Sequence, residues 1–273
     1  MRLTCSSLSL LGVPIADAVE TIAGLGFPAM DLVGIPSVPD PHLDLVHRDP
    51  AELGRLRHIV DACGLQVATV VAVPGDGLEQ WDPAEVDARV RWAIAACNAL
   101  GAPLLVLDAG SPDAGGGERQ RAIALWKSMI DAATDGTAAA GVRLAVEAPH
   151  TGTLAERFDE VDELLRAIAR PEVGLDYDTS HVHRSGTSTE ESLERVGDRL
   201  VKVALRDVDA AGEFCAPGTG EVDFARLLTL LKRRLFDGDL VIELETPGVT
   251  AATEQQREIE MTRLFVEDIL AGL

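Results

Sequence analysis

The sequence predicts a single-domain (β/α)8 TIM barrel that spans residues 1–273. Eight short apolar runs alternate with helical patterns, and no change in composition marks a linker between domains. Barrels of about 200 to 250 residues commonly form one domain, which agrees with this length. The alternative is a doubly wound open sheet, which usually has a glycine-rich phosphate loop after its first strand. The corresponding segment, CSSLSLLGV, is not such a loop.

The candidate strands are short apolar runs, as expected for strands that are covered by helices. They lie at 2–8, 29–34, 65–73, 103–109, 143–148, 173–178, 200–207 and 240–245.

Helical patterns fill the intervals between these runs, and two of them have clear end signals. One begins with Pro50 in its first turn and ends at Gly64. The other has Asp82 as its N-cap, Pro83 at its first position and Gly101 as its stop. Further helices are predicted at 14–26, 118–140, 156–169, 190–197, 221–234 and 252–271.

The net charge of −21 argues against nucleic acid and membranes as partners, because an acidic surface repels phosphate groups and anionic lipid. No stretch approaches 18 uninterrupted apolar residues, and the N-terminal segment is better explained as a strand and helix than as a signal peptide. The four cysteines show no CxxC spacing, which favours free thiols in a reducing compartment. We therefore expect a cytoplasmic protein.

Several predicted strands end in carboxylates, at the edge where barrels of this class carry their active sites. Glu147 ends the fifth strand, Asp178 the sixth, and Glu243 and Glu245 the eighth. A carboxylate in an apolar strand is costly unless it is paired, hydrogen-bonded or bound to a cation. Helix capping or pairing with Arg or Lys is the alternative. Oxygen donors with at most one imidazole suit Mg²⁺, Mn²⁺ or a similar divalent ion.

Four segments of the second half resemble the xylose-isomerase-like sugar isomerase and epimerase superfamily. They are LAVEAPH (144–150), VGLDYDTSH (173–181), PGTGEVDFARLL (217–228) and LVIELE (240–245). In the first half, GLGFPAMDL (24–32) is similar in general pattern. The superfamily includes ketose 3-epimerases, hydroxypyruvate isomerases and inosose dehydratases, so the resemblance implies a TIM barrel with a role in carbohydrate metabolism.

The resemblance implies a divalent metal, Mn²⁺, Mg²⁺ or Co²⁺, that is held by Glu147, Asp178, Glu243 and a histidine on the seventh strand. Family members often read HLKD at that strand, whereas this chain reads ALRD, with Ala204 at the ligand position. Alanine has no donor atom. Three outcomes are open: a water fills the vacancy, a neighbouring histidine rotates in, or the metal is lost.

Three further residues are expected to bind substrate. The resemblance gives His181 a contact with a substrate oxygen, and a loop histidine bonded to a backbone carbonyl is the alternative. Arg206 faces inward on the seventh strand, where its planar fork suits an oxyanion or carboxylate. An ion pair with Asp178 or Glu245 is the alternative for Arg206. His150 follows the fifth strand at the same rim, or is a solvent-exposed histidine.

Other polar residues carry weaker expectations. Lys202 lies deeper on the seventh strand and is expected to neutralise a barrel acid such as Asp176. Asp31 and Asp108 end strands two and four, where helix capping is favoured over contact with substrate hydroxyls. His42 and His47 follow strand two at the functional rim, where placement at the surface is favoured over a functional role.

The resemblance implies an isomerase or epimerase, and a small polyhydroxylated carbonyl compound is the substrate that it leads us to expect. Glu147 and Glu243 would be the catalytic acid and base for proton transfer at the carbon α to the carbonyl. Ala204 supports the alternative, a metal-free or metal-weak relative that is a lyase (dehydratase) or a non-catalytic binding protein. Related DNA-repair endonucleases are disfavoured by six histidines and the acidic charge. A homodimer or homotetramer is expected.

Overall fold

The computed structural model describes residues 1–78 and 80–273. The strands among these residues are β1 Arg2–Ser6, β2 Ala29–Gly34, β3 Gln66–Ala72, β4 Leu104–Asp108, β5 Arg143–Glu147, β6 Gly174–Asp178, β7 Leu200–Leu205, β8 Asp207–Val208, β9 Phe214–Cys215 and β10 Asp239–Ile242. Eight of them are parallel and close into a barrel in the order β1-β10-β7-β6-β5-β4-β3-β2, which confirms the predicted fold class. The other two, β8 and β9, form an antiparallel sheet that is appended after β7.

Nine α-helices are present among the described residues, and the predicted end signals are confirmed. Asp82 accepts hydrogen bonds from the first-turn N–H groups of the helix Pro83–Leu100, and Gly101 ends that helix at φ +72°. The helices are α1 Ile15–Gly24, α2 Pro50–Ala62, α3 Pro83–Leu100, α4 Arg119–Ala140, α5 Phe158–Ile168, α6 Thr179–Arg184, α7 Thr189–Val196, α8 Phe224–Arg233 and α9 Ala252–Gly272. No helix within the described ranges is long and apolar enough to cross a bilayer.

The main core lies between the barrel and its ring of helices, where side chains such as Leu105, Trp126 and Ile130 are almost fully buried. A smaller apolar cluster lies on the inner face of the barrel and includes Val33, Val71 and Val106. These branched side chains fill the interior, as is usual in barrels of this class.

A buried ion-pair layer crosses the barrel below the candidate site. Lys202 Nζ is 2.8 Å from Asp176 Oδ2 and 2.9 Å from Asp31 Oδ2, and all three side chains are fully buried. The pairing of Lys202 with Asp176 agrees with the sequence prediction. The expectation for Asp31 is wrong, because this residue lies inside the barrel and binds the ammonium group instead of capping a helix.

The last barrel strand is shorter than predicted. β10 ends at Ile242, and the Leu244 N–H donates to Ser9 Oγ at 2.9 Å instead of to a neighbouring strand. Glu243 remains hydrogen-bonded to β7, since its N–H donates to Leu205 O at 3.3 Å. Glu243 and Glu245 therefore lie just beyond the regular part of β10, and both side chains contact Arg206.

The segment after β7 is fixed by one buried carboxylate, Asp207. It accepts hydrogen bonds from the N–H groups of Gly218, Gly220 and Val222 at 2.9 to 3.0 Å. A Cβ atom on Gly220 would lie 2.2 Å from Val208 O, so only glycine fits there. This packing explains the PGTGEV motif in structural terms.

Candidate active site

Three carboxylates meet at the C-terminal mouth of the barrel. Glu147 ends β5, Asp178 ends β6 and Glu243 follows β10, and one oxygen of each lies within 4.8 Å of the others. Their side chains are 12 %, 0 % and 6 % exposed. Burying three carboxylates together is unfavourable without a cation or a proton between them. The structure thus brings together the residues that the resemblance names as metal ligands.

The Arg206 guanidinium lies inside this carboxylate cluster. Its Nε donates to Asp178 Oδ2 at 2.9 Å and its Nη2 to Glu243 Oε1 at 2.7 Å. Nη2 also contacts Asp178 Oδ2, Nη1 contacts Glu245, and Nη2 is 4.0 Å from Glu147 Oε1. The predicted alternative for Arg206, an ion pair with Asp178 or Glu245, is therefore observed.

Two local contacts hold Arg206 in this position. Thr179 Oγ1 accepts from the Arg206 N–H at 2.9 Å and lies 3.1 Å from Ala204 O, which ties the end of β7 to the start of α6. The ring of Phe214, on β9, covers the guanidinium with its centroid 4.6 Å from the guanidinium carbon. The arginine side chain is 3 % exposed as a result.

The two carboxylate oxygens of Asp178 have different hydrogen-bond partners. Its Oδ1 caps α6 by accepting from the N–H groups of Ser180 and His181 and from the Ser180 hydroxyl. Its Oδ2 binds Arg206. Burial raises the pKa of Asp178, but the Arg206 guanidinium, His181 and the Ser180 hydroxyl outweigh burial and hold that pKa well below its usual range. Asp178 is therefore ionised at neutral pH.

Glu147 lies in the opposite electrostatic situation. Burial raises its pKa well above the usual range, and the charges of Glu243, Asp176 and Asp178 raise it further, against a smaller opposing effect of Arg206. Its Oε1 is buried without a hydrogen-bond partner among the described residues. A carboxyl group with these properties accepts a proton readily, which suits a general base or acid.

His181 is placed as a neutral donor at the mouth. The Thr151 N–H donates to His181 Nδ1 at 3.3 Å, so the hydrogen-bond network places the ring proton on Nε2. That Nε2 is buried and unpaired in the part of the chain that the structure describes. Burial lowers the pKa of His181 to about 3, against an opposing effect of Asp178. Among the described residues, His181 has no hydrogen bond to a backbone carbonyl, which was the alternative.

His150 stacks on His181, with ring centroids 3.9 Å apart. Its Nδ1 is 2.8 Å from Thr151 O, its Nε2 is 3.8 Å from Glu147 Oε1, and its side chain is 29 % exposed. Burial is the largest influence on its pKa, which is lowered. His150, His181 and Glu147 form a second group with one possible ligand atom each within 4.8 Å.

A cavity of about 350 Å³ opens above these residues. One wall is apolar and the other is polar, so the cavity can both exclude water and orient a small ligand. Its lining residues include Leu8, Val33, Ile35, Val71, Glu147, His150, His181, Arg206, Phe214, Glu243 and Glu245. A larger cavity, about 440 Å³, lies between α3 and α4, and none of its lining residues among those described belongs to the carboxylate cluster.

Several features of the site were not found from the sequence. Phe214, on β9, and Thr151, after β5, lie between the elements that the sequence predicted, and no pattern marked them. His42 was expected at the surface, but it is buried and its Nε2 lies 2.9 Å from Val13 O. Asp108 accepts from the Gly110 N–H at 2.9 Å and so shapes a turn, whereas Ser111 and Glu118 are the N-caps of the two helical segments that follow, so the expected helix-capping role of Asp108 is wrong.

Residues 19–265 match the family described as xylose isomerase-like TIM barrel, and the chain belongs to that family. Its curated relatives include an inosose dehydratase of Geobacillus kaustophilus, 28% identical over 147 residues, which are 46% of this chain and 47% of the relative. The rhizopine catabolism protein MocC of Rhizobium meliloti is 34% identical over 123 residues, 38% of this chain and 37% of the relative. The chain spans less than half the length of these relatives.

Solved structures with the same fold cover nearly the whole chain. A D-allulose 3-epimerase from Methylomonas sp. has a TM-score of 0.77 at 18% identity and covers 98% of both chains. The IOLI protein, whose structure holds a zinc atom, has a TM-score of 0.78 at 18% identity, covering 97% of this chain and 98% of that one. A probable 3-DHS dehydratase, AsbF, from Bacillus anthracis has a TM-score of 0.73 at 16% identity, covering 96% and 99%. These identities are low, and the likeness concerns the fold.

Proposed function

We propose that this protein is an enzyme that transfers a proton at the carbon α to a carbonyl of a small polyhydroxylated compound. The proposal rests on the different environments of two carboxyl groups, Glu147 and Asp178, at the mouth of the barrel. Glu147 is buried with a raised pKa, beside Asp178, which stays ionised. Carboxyl groups whose environments separate their pKa values are typical of acid–base catalysis.

Each residue around the cavity has a role in this reaction. Glu147 or Glu243 removes the α-proton, and the other carboxyl group returns a proton from its own side. His181 donates from Nε2–H to a substrate oxygen, and His150 adjoins it. Arg206 and the His181 donor stabilise the negative oxygen that forms when the proton leaves. Proton return to the opposite face gives epimerisation, and return to the neighbouring carbon gives isomerisation.

The oxygen donors at this site fit a divalent ion such as Mn²⁺, Mg²⁺ or Co²⁺. Glu147 Oε1 is a buried atom with no partner among the described residues, and Asp178 and Glu243 offer further oxygens nearby. An ion held by these three residues would polarise the substrate carbonyl. Ala204 supplies no fourth ligand, and His150 or His181 is the nearest imidazole that could replace it.

Dehydration is the second candidate reaction, because the curated relatives with significant sequence similarity include inosose dehydratases. The same base removes the α-proton, and a β-hydroxyl group then leaves as water.

A non-catalytic binding protein is the alternative from another class, favoured by Ala204. We also propose a homodimer or homotetramer, which light scattering would test.

The test is activity on a panel of D-fructose, D-tagatose, inosose and 3-dehydroshikimate. Glu147→Gln and Glu243→Gln should each lower the rate by about 10²- to 10⁴-fold, because each removes one proton-transfer group. Glu194→Gln, on the exposed side of α7, is the matched control and should keep full activity. Circular dichroism checks the fold. Full activity in both site variants contradicts the assignment. With a ketose substrate, an epimeric ketose indicates epimerisation, an aldose indicates isomerisation, and loss of water indicates dehydration.

A further inference from the structure

The Arg206 guanidinium stands where a divalent ion would have to enter the carboxylate cluster. Its Nη2 atom is 2.7 Å from Glu243 Oε1 and in closer contact with Asp178 Oδ2. Divalent ions bind carboxylate oxygens at about 2.0–2.6 Å, so an ion shared by these two oxygens would overlap the guanidinium nitrogen. The two cations also repel each other. They therefore cannot occupy the cluster together in this arrangement.

The lone pairs of Asp178 lead to the same conclusion. Its Oδ1 is used by the cap of α6, where it accepts three hydrogen bonds from Ser180 and His181. Its Oδ2 accepts from Nε and Nη2 of Arg206. An ion that binds Asp178 must therefore displace either the helix cap or the guanidinium, and the guanidinium is the end of a flexible side chain.

We propose that Arg206 is a displaceable internal cation that competes with divalent metal for Glu147, Asp178 and Glu243. The metal binds this cluster only after the guanidinium has moved away from Asp178. The inference rests on the metal-binding part of the proposed function, and it concerns binding rather than the proton-transfer step.

The displaced guanidinium has partners outside the cluster. Glu245 already contacts Nη1, and its side chain is 34 % exposed toward the cavity. Phe214 offers its ring face to the guanidinium on the same side. In the proposed exchange the arginine side chain moves toward the cavity, on the side where Glu245 and Phe214 lie, and so releases Asp178 and Glu243.

Charge favours entry of the ion once Arg206 has moved. One guanidinium faces three carboxylates, and Glu147 Oε1 lies 4.0 Å from it, too far for a hydrogen bond. A divalent ion brings twice the charge and can reach all three groups. The apparent metal affinity is then the intrinsic affinity reduced by the fraction of molecules in which the cluster is open.

Titration of the intact chain with Mn²⁺ at pH 7.5, with free Mn²⁺ followed by electron paramagnetic resonance, tests the proposal. Arg206→Met removes the competing charge and should bind one Mn²⁺ at least about tenfold more tightly than the wild type. Arg206→Lys keeps one charge but loses the planar fork, so its affinity should lie between the two. Low millimolar guanidinium chloride should weaken Mn²⁺ binding to Arg206→Met and leave the wild type unchanged.

Two controls assign the site. Arg184→Met removes another arginine that contacts Phe214 and should leave Mn²⁺ affinity unchanged. Adding Asp178→Asn to Arg206→Met should abolish the gain, whereas binding at Glu147, His150 and His181 would survive it. Equal Mn²⁺ affinity in the wild type, Arg206→Met and Arg206→Lys overturns the proposal, as does no binding by folded Arg206→Met. If Arg206→Met fails to fold, Arg206→Lys decides. No activity is measured, so a failed proton-transfer assay leaves this result intact.

Discussion

At the scale of single residues, the site depends on how one guanidinium is shared among carboxylates. Arg206 binds Asp178 and Glu243 directly and leaves Glu147 without a close cation. The result is one ionised carboxyl group and one that protonates readily. The buried ion pair between Arg206 and Asp178 contributes to the reactivity of the site rather than to net stability, because the cost of desolvation offsets most of the attraction between the two charges.

Asp108 gives a residue-scale prediction that is independent of the reaction. Burial raises its pKa to about 6, against an opposing hydrogen bond from the Gly110 N–H. The folded state thus holds an extra proton between the unfolded pKa of 3.8 and about 6, and the free energy of unfolding falls as the pH rises through that window. The Asp108→Asn side chain does not titrate, so the free energy of unfolding of this variant lacks this fall. Its amide oxygen still accepts a hydrogen bond from the Gly110 N–H.

We therefore expect Asp108→Asn and the wild type to be nearly equal in stability at pH 4. At pH 7 the variant should be more stable by about 1–2 kcal/mol, a value reduced for the partial exposure of the side chain. Urea unfolding at the two pH values measures the difference. A variant that is less stable than the wild type at pH 7 contradicts the raised pKa.

The residue scale also shows what sequence alone could predict. Strand alternation and the positions of Glu147, Asp178 and Glu243 were sufficient to place three carboxylates at one rim. The position of the Arg206 head group was left open, because a long side chain can reach several partners and its choice depends on Phe214 and Thr179. Those two residues come from other segments, and their proximity follows only from the folded chain.

At the scale of elements, the strands and long helices were predicted closely, because apolar runs and caps are local signals. The short helix α6 and the β8-β9 pair were missed. α6 has six residues and depends on Asp178 as its cap, and β8 and β9 have two residues each. Elements this short are held by tertiary contacts rather than by a sequence pattern. They nonetheless position His181 and Phe214.

The ion-pair layer of Lys202, Asp31 and Asp176, which joins β7 to β2 and β6, leads to a prediction about stability. Lys202→Met would leave Asp31 and Asp176 buried without their cation, and we expect a loss of about 3–5 kcal/mol in the free energy of unfolding. Urea unfolding at pH 7 measures it. Adding Asp31→Asn and Asp176→Asn should restore part of the loss, since neutral amides cost less to bury than carboxylates. A loss below about 1 kcal/mol for Lys202→Met alone would contradict this account of the layer.

At the scale of the whole molecule, the charge is unbalanced. The chain has 45 acidic and 24 basic residues, so many carboxylates have no basic partner. Added salt weakens the surface ion pairs, which contribute about 0–1 kcal/mol each, but it also screens the repulsion among the excess acids. With a net charge of −21, the second effect should dominate.

We therefore expect the melting temperature to rise by several degrees between 20 mM and 500 mM NaCl. Differential scanning calorimetry at pH 7.5 measures this shift. The same experiment with glucose at matched osmolarity controls for general solute effects. A melting temperature that falls with added NaCl would show that ion pairs outweigh the repulsion.

The proposed function requires the mouth of this barrel to remove a proton next to a carbonyl. Proton NMR in D₂O measures this step, with D-fructose, D-tagatose, inosose and 3-dehydroshikimate as separate substrates. We expect the wild type to replace the C–H hydrogen beside the carbonyl of at least one of them with deuterium. Glu147→Gln and Glu243→Gln should slow this exchange by about 10²-fold or more. Exchange at the wild-type rate in both variants, or no exchange with any of the four compounds, would contradict the claim.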